Sequence, residues 1–202
     1  MRSDWVDRQL CARGIIDPRV LEAMRAVPRE AFVPVEARAR AYDDAALVLG
    51  HGQTISQPYV VALICQALSL EGDEPVLDVG TGSGYQAAVL DELAGGVVSV
   101  ERIPELAEQA RGNLAATGHS GVEVLVGDGS LGVPSRAPFG AIAVAAAAAE
   151  LPEALLQQLA PGGRLVLPLG RELVRVTDAD GHLRMERLAP VRFVPLVAGL
   201  PG

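Results

Sequence analysis

The chain has 202 residues, half of them hydrophobic, which suits one domain with a substantial core. Its formal net charge of -8 and pI near 4.9 argue against a non-specific nucleic-acid binder, whose phosphate contacts need a basic surface, though a local basic patch stays open. No apolar run approaches the ~20 residues that span a bilayer, and the first residues lack a signal peptide's apolar core, so a cytoplasmic protein without a membrane or nucleic-acid partner is expected.

Residues 5–13 read as a helix stopped by Gly14, a C-terminal cap. Asp17-Pro18 opens a second helix, with Asp as N-cap, Pro at the first helical position and an apolar face of Val20, Leu21 and Met24, before Pro28 and Pro34 break it. Both helices precede the sheet and are expected to cap the main domain. Gly50-His51-Gly52-Gln53-Thr54-Ile55-Ser56-Gln57-Pro58 is a polar loop running into a helix whose stripe is Val61, Ile64, Cys65 and Leu68. A helix cap accounts for one polar side chain there, not for Gln53, Thr54, Ser56 and Gln57 together, so cap and binding loop both stay open.

From Pro75 the pattern alternates. Strands are expected at 76–79, 97–101, 122–126, 141–145 and 164–167, and helices at 86–93, 104–114 and 152–159. Such alternation means βαβ units with right-handed crossovers: an α/β, Rossmann-like, doubly wound, mostly parallel sheet. A C-terminal antiparallel hairpin follows, residues 172–177 and 182–188 about the turn Asp178-Ala179-Asp180-Gly181, then a last strand at 191–197. The whole, 1–202, reads as one domain, with an N-terminal helical cap and polar loop over 1–58 and the core over 59–202. Cys11 and Cys65 read as buried thiols, no metal-ligand cluster is seen, and His119 and His182 sit in surface-like polar turns. His51 is expected to shape its loop.

Asp78-Val79-Gly80-Thr81-Gly82-Ser83-Gly84-Tyr85 reads as strand, glycine turn and helix start, a backbone that a ligand can approach closely. Asp78, Glu101 and Asp128 each fall at or just past a strand's carboxyl end, where ligands bind in open α/β sheets. Glu101, about 20 residues past the glycines, suits ribose hydroxyls, and Asp128, within Gly127-Asp128-Gly129, suits an exocyclic amine. The glycines recur at spacing two, Tyr85 stands where a dinucleotide fingerprint has its third glycine, and Asp78 adds negative charge. That is poor for pyrophosphate and suits a sulfonium with an α-amino group, so S-adenosyl-L-methionine is expected rather than NAD.

Residues 78–85, Glu101 and 127–129 resemble class I S-adenosylmethionine-dependent methyltransferases. More narrowly, residues 50–59, with Arg13-Gly14-Ile15, Val27-Pro28-Arg29, Phe32-Val33-Pro34, 127–132, Pro161-Gly162-Gly163-Arg164-Leu165 and Arg192-Phe193-Val194-Pro195-Leu196, resemble the protein-L-isoaspartate O-methyltransferases over nearly the whole chain. The resemblance implies a monomeric repair enzyme that methylates the α-carboxylate of L-isoaspartyl residues in aged proteins and peptides. It also implies cofactor contacts from Asp78, Gly80, Thr81, Gly82, Ser83, Gly84, Tyr85, Glu101, Arg102, Gly127, Asp128 and Gly129. Ser56 is implied at the reacting groups, Thr54, Ile55, Gln57 and Pro58 in the substrate loop, and the backbone of Val194, Pro195 and Leu196 as a strand-like substrate contact. No general base is needed, because a carboxylate with a pKa of ~4 is already ionised at neutral pH.

The chain departs from the family where Gly140 follows Phe139 in place of Asp, where Ala145 and Ala149 stand for Thr and Pro, and where Val48 stands for Pro. Two other readings stay open. One is a methyltransferase of an ordinary aspartate in a dedicated peptide, whose relatives usually carry extra substrate-binding segments, whereas this chain ends just after its last expected strand. The other is a cofactor-binding protein without turnover.

Overall fold

The structure, a computed structural model, describes residues 3–179 and 182–201; Asp180 and Gly181 of the expected hairpin turn lie outside the described residues. The chain opens with α1 (Ser3–Gln9), a 3-10 turn (Cys11–Arg13) and α2 (Pro18–Ala26). Gly14, at φ 87°, ends the first unit, and the Asp17 side chain accepts hydrogen bonds from the Arg19 and Val20 N–H groups to start α2. The expected helix over 5–13 therefore divides in two.

The expected loop at 50–58 is in part a strand: Gln53–Ile55 (β2) pairs with Leu47–Gly50 (β1) in a two-stranded antiparallel ribbon before α3 (Pro58–Leu68). Gly50, His51 and Gly52 all have positive φ, at 102°, 52° and 70°, which the tight hairpin turn requires. Leu47, Leu49 and Ile55 point inward, while Val48 points to solvent.

The main sheet comprises β3 (Pro75–Val79), β4 (Gly96–Glu101), β5 (Glu123–Val126), β6 (Phe139–Val144), β7 (Leu159–Leu169), β8 (Glu172–Ala179) and β9 (His182–Pro190). Its order is β5-β4-β3-β6-β7-β8-β9. The first five run parallel, and β8 and β9 add as antiparallel strands at one edge. Helices α4 (Tyr85–Asp91), α5 (Pro104–Ala116) and the short α6 (Glu153–Leu156) make the crossovers. Ala141, Ile142, Ala143 and Val144 are all fully buried, as a parallel strand covered on both faces demands. After β5 the chain crosses to the other side of β3, so the topological switch point lies between β3 and β6. Buried side chains of α1, α2 and α3 join those of β3 and α4 in one continuous cluster.

Four expectations change. The helix at 152–159 shrinks to α6, because Leu159 onward joins an early-starting β7. Residues 191–197 form no strand ladder: Pro190 ends β9, Pro195 has no N–H to give, and a single parallel bridge ties Pro195 to Ala147. His119 is buried rather than at the surface, its Nδ1 3.0 Å from Asp91 Oδ2, and Cys11 is half-buried where Cys65 is fully buried.

The crossover into β6 depends on Gln158, which is 5% exposed. Its Oε1 accepts from Val133 N–H at 2.7 Å and its Nε2 donates to Leu131 and Ala154 carbonyls at 2.9 and 2.7 Å. Gln158→Met keeps the volume but orphans buried backbone groups. It is expected to lower unfolding free energy by about 2 kcal/mol in urea titration.

Candidate active site

The glycine turn after β3 is pinned at three successive residues. Gly80 and Thr81 N–H both donate to Val100 O, at 2.9 and 3.3 Å, and Gly82 N–H donates to Glu101 Oε2 at 2.9 Å. The other Glu101 oxygen accepts from Ile103 N–H at 3.0 Å, fixing the carboxylate at the end of β4. Gly80, Gly82 and Gly84 have φ of 94°, 54° and 90°. A Cβ at Gly80 would lie 3.5 Å from Ala145 Cβ, and one at Gly82 would lie 3.7 Å from Leu49 Cδ1, so the turn sits between the end of β6 and the ribbon.

Beneath it lies a buried polar network. Asp78 is fully buried and accepts from Gln86 Nε2 at 2.8 Å and Ser99 Oγ at 2.7 Å. With the Ser99 proton so committed, the Thr81 hydroxyl donates to Ser99 Oγ at 2.6 Å. Burial pushes the Asp78 carboxyl up to about 6, against the lowering pull of Ser99 and Gln86.

Above the switch point opens a cavity of about 490 Å³, within the range of small-molecule sites. Thr54, Ile55, Ser56 and Gln57 line it. So do Gly80, Thr81, Gly82, Ser83 and Tyr85, with Glu101, Arg102 and Gly129. Val194, Pro195 and Leu196 line it too, as do Ala145 and Ala146 just after β6. Five expected residues do not line it: Pro58, Asp78, Gly84, Gly127 and Asp128.

Asp78 turns inward because its donors lie there. Asp128 accepts from Ser130 N–H and Oγ, at 2.9 and 2.6 Å, and from Gly199 N–H at 2.6 Å. Partial burial would raise its carboxyl, but these bonds and nearby Arg102 outweigh that and hold it low. Gly84 starts α4 against Leu114 and Ala110, Gly127 N–H bonds Glu101 O, and Pro58 opens α3.

Gln53 of the polar loop lines the cavity, as do residues to which the sequence assigns no site role, among them Ala46, Gln86, Arg192 and Phe193. The last three adjoin or sit in the quoted motifs, so motif adjacency was the available signal; Ala46 offered none. The segment at 194–196 is bound on one edge, since Ala147 N–H donates to Val194 O at 2.7 Å and Leu196 N–H donates to Ala147 O at 2.8 Å. Extended backbone alternates its polar groups, so the free pairing edge belongs to Phe193, Pro195 and Val197.

Of the family departures, Ala145 alone touches the cavity. Gly140 has a local reason: a Cβ there would lie 2.7 Å from Glu74 Cβ, whose carboxylate is held by Arg164 at 2.7 Å.

A glycine turn after the first parallel strand, an acid at the end of the second and a cavity at the switch point define a Rossmann-like cofactor-binding protein. The family model for protein-L-isoaspartate(D-aspartate) O-methyltransferase matches residues 2–200, and the chain belongs to that family. It is 54% identical to protein-L-isoaspartate O-methyltransferase 1 of Rhodopseudomonas palustris, over 97% of this chain and 82% of that one. It is 55% identical to protein-L-isoaspartate O-methyltransferase 2 of Marinobacter nauticus, over 98% and 93%. Among solved structures, a Plasmodium falciparum protein described as a protein-L-isoaspartate O-methyltransferase, in complex with S-adenosyl-L-homocysteine, superimposes with a TM-score of 0.85 at 26% identity, covering 97% of this chain and 98% of that one.

The Asp78 environment sets a pH dependence. Its folded pKa is raised above the unfolded value, so its contribution to stability is complete below about pH 4 and is lost as pH rises through about 6. Relative to Asp78→Asn, the unsubstituted protein is expected to lose about 3 kcal/mol of stability between pH 4 and pH 7, read from urea titrations at each pH.

Proposed function

We propose that this chain transfers the methyl group of S-adenosyl-L-methionine to the α-carboxylate of L-isoaspartyl residues in damaged proteins and peptides. The observation that carries the proposal is that one cavity is lined both by the glycine turn with Glu101 and by Thr54 to Gln57. The donor chemistry of the turn and Glu101 suits the cofactor. Each Glu101 oxygen spends one lone pair on a backbone N–H and keeps another for a ribose hydroxyl. The Tyr85 N–H at the start of α4 faces Ser83 Oγ at 3.4 Å, which leaves the helix end less free for a pyrophosphate.

The cofactor supplies an electrophilic methyl on a sulfonium sulfur. The residues of the chain do the positioning. Glu101 and the turn from Gly80 to Ser83 hold the adenosine and methionine parts, with Gly129 and Arg102 in the same cavity. Ser56, which also lines the cavity, orients the substrate carboxylate through its hydroxyl. The free edge of residues 193–197 takes the substrate main chain as an added strand, a contact that reads backbone rather than side chains. Transfer forms a carbon–oxygen bond as the carbon–sulfur bond breaks, with the electron pair left on sulfur. No proton moves, so alignment and exclusion of water carry the rate. In the released ester, the following amide nitrogen expels methanol to give a succinimide, whose hydrolysis returns some normal aspartate.

Free Cys11 and Cys65 support action in a reducing compartment such as the cytoplasm, and the net charge of -8 supports a monomer.

The test is incubation with methyl-labelled S-adenosyl-L-methionine and paired peptides that differ only in aspartyl or isoaspartyl linkage. Base-labile ester on the isoaspartyl peptide alone is the expected result. Ester on the aspartyl peptide would point to a dedicated aspartate methyltransferase, and cofactor binding with no transfer to a protein without turnover. In the same assay Ser56→Ala is expected to lower kcat about 10-fold or more, with cofactor affinity nearly unchanged.

A further inference from the structure

Arg29 is fully buried, yet no carboxylate pairs with it among the described residues. Its Nε donates to Ala41 O at 2.6 Å and its Nη2 donates to Ala45 O at 3.4 Å, while Nη1 has no partner. The guanidinium carbon lies 5.1 Å from the centre of the Tyr85 ring, within cation–π range. Burial lowers its pKa to about 10, which still leaves it charged at neutral pH. An apolar side chain of similar volume would avoid that desolvation, so stability alone is a poor account of an arginine here.

What it touches is informative. Ala45 directly precedes Ala46, a cavity wall residue, and Leu47, which pairs in register with Ile55, the neighbour of Ser56. On its other side, Tyr85 is both the first residue of α4 and a wall residue beside the glycine turn. Arg29 thus joins the segment that leads into the ribbon to the residue that follows the glycine turn. Phe32, from the same 3-10 turn, packs edge-on against the Tyr85 ring at 5.6 Å.

We infer that Arg29 is a positioning residue for methyl transfer: by bridging the carbonyls before β1 to the Tyr85 ring, it sets the distance between Ser56 and the cofactor turn. The inference rests on the proposed reaction. In-line transfer tolerates little misplacement, so a shift of about 1 Å between the ribbon and the turn slows it on the order of 100-fold while each ligand still finds its own contacts.

Two substitutions test it. Arg29→Lys keeps the charge but cannot bridge two carbonyls and stack on the ring; Arg29→Met keeps the volume and removes the donors. Both are expected to lower kcat on an isoaspartyl peptide about 10-fold or more, with peptide KM and the Kd of S-adenosyl-L-homocysteine each within about threefold. A second readout is independent of turnover: amide hydrogen exchange over residues 53–57 should quicken in Arg29→Lys, with exchange in α5 unchanged. If Arg29→Met does not fold, Arg29→Lys is read alone; if neither folds, the residue serves stability and the inference is overturned. Unchanged kcat with unchanged exchange at 53–57 overturns it, as does weakening of Kd and KM to the same extent as kcat. Absence of transfer by the unsubstituted protein would strike the proposed reaction, and the exchange measurement would still decide the role of Arg29.

Discussion

One carbonyl, Val100 O, receives two consecutive N–H groups of the glycine turn, and the next N–H goes to the side chain of the neighbouring Glu101. The end of β4 is therefore the template on which the turn after β3 is moulded. This works because β3 and β4 are parallel and in register, with Asp78 opposite Ser99 and Val79 opposite Val100, so β4 reaches one residue beyond the end of β3. A turn held this way keeps its shape without a ligand, and Glu101 is held in place before any ribose arrives. Preorganisation of this kind removes an ordering cost from binding.

The network under the turn has a cost and a consequence. A buried carboxylate with two neutral donors is poorly compensated, which is why Asp78 titrates near 6 rather than near 4. The chain of Thr81 to Ser99 to Asp78 gives the turn's first side chain a fixed hydroxyl direction and couples it to Gln86, on the cavity wall. Asp78 thus acts on a ligand through what it holds. The ribbon approaches the turn at Leu49, whose Cδ1 would lie 3.7 Å from a Cβ at Gly82.

How much of this could be read in the sequence varied with how local its cause was. The parallel strands were legible because burial on both faces forces uninterrupted apolar runs such as Ala141 to Val144, and glycines at alternate positions signalled the turn. The ribbon at Leu47–Gly50 and Gln53–Ile55 was not: strands of four and three residues are too short to establish alternation, and His51 in a left-handed conformation is no ordinary turn signal. Residues 191–197 show a strand's composition but are kept out of a ladder by proline and by their path over the cavity. Side-chain direction was the least legible quantity. Asp78, Glu101 and Asp128 all stand at strand ends, but Glu101 alone faces the cavity, because Ser99 and Gln86 capture Asp78 and Ser130 and Gly199 capture Asp128. Those partners are 8 to 71 residues away for all but Ser130, beyond any local pattern. His119 looked like a surface turn residue for the same reason, its partner Asp91 lying 28 residues away.

The central claim is that the turn moulded on β4, with Glu101, is the holder of the methyl donor. Calorimetric titration of S-adenosyl-L-homocysteine into the unsubstituted protein and into Glu101→Gln addresses it directly. Charge-assisted hydrogen bonds contribute about 1.5–3 kcal/mol, so the account predicts clear binding to the first and an affinity at least about 10-fold weaker for the second. Equal affinity in the two proteins, or preferential binding of NAD, would contradict it.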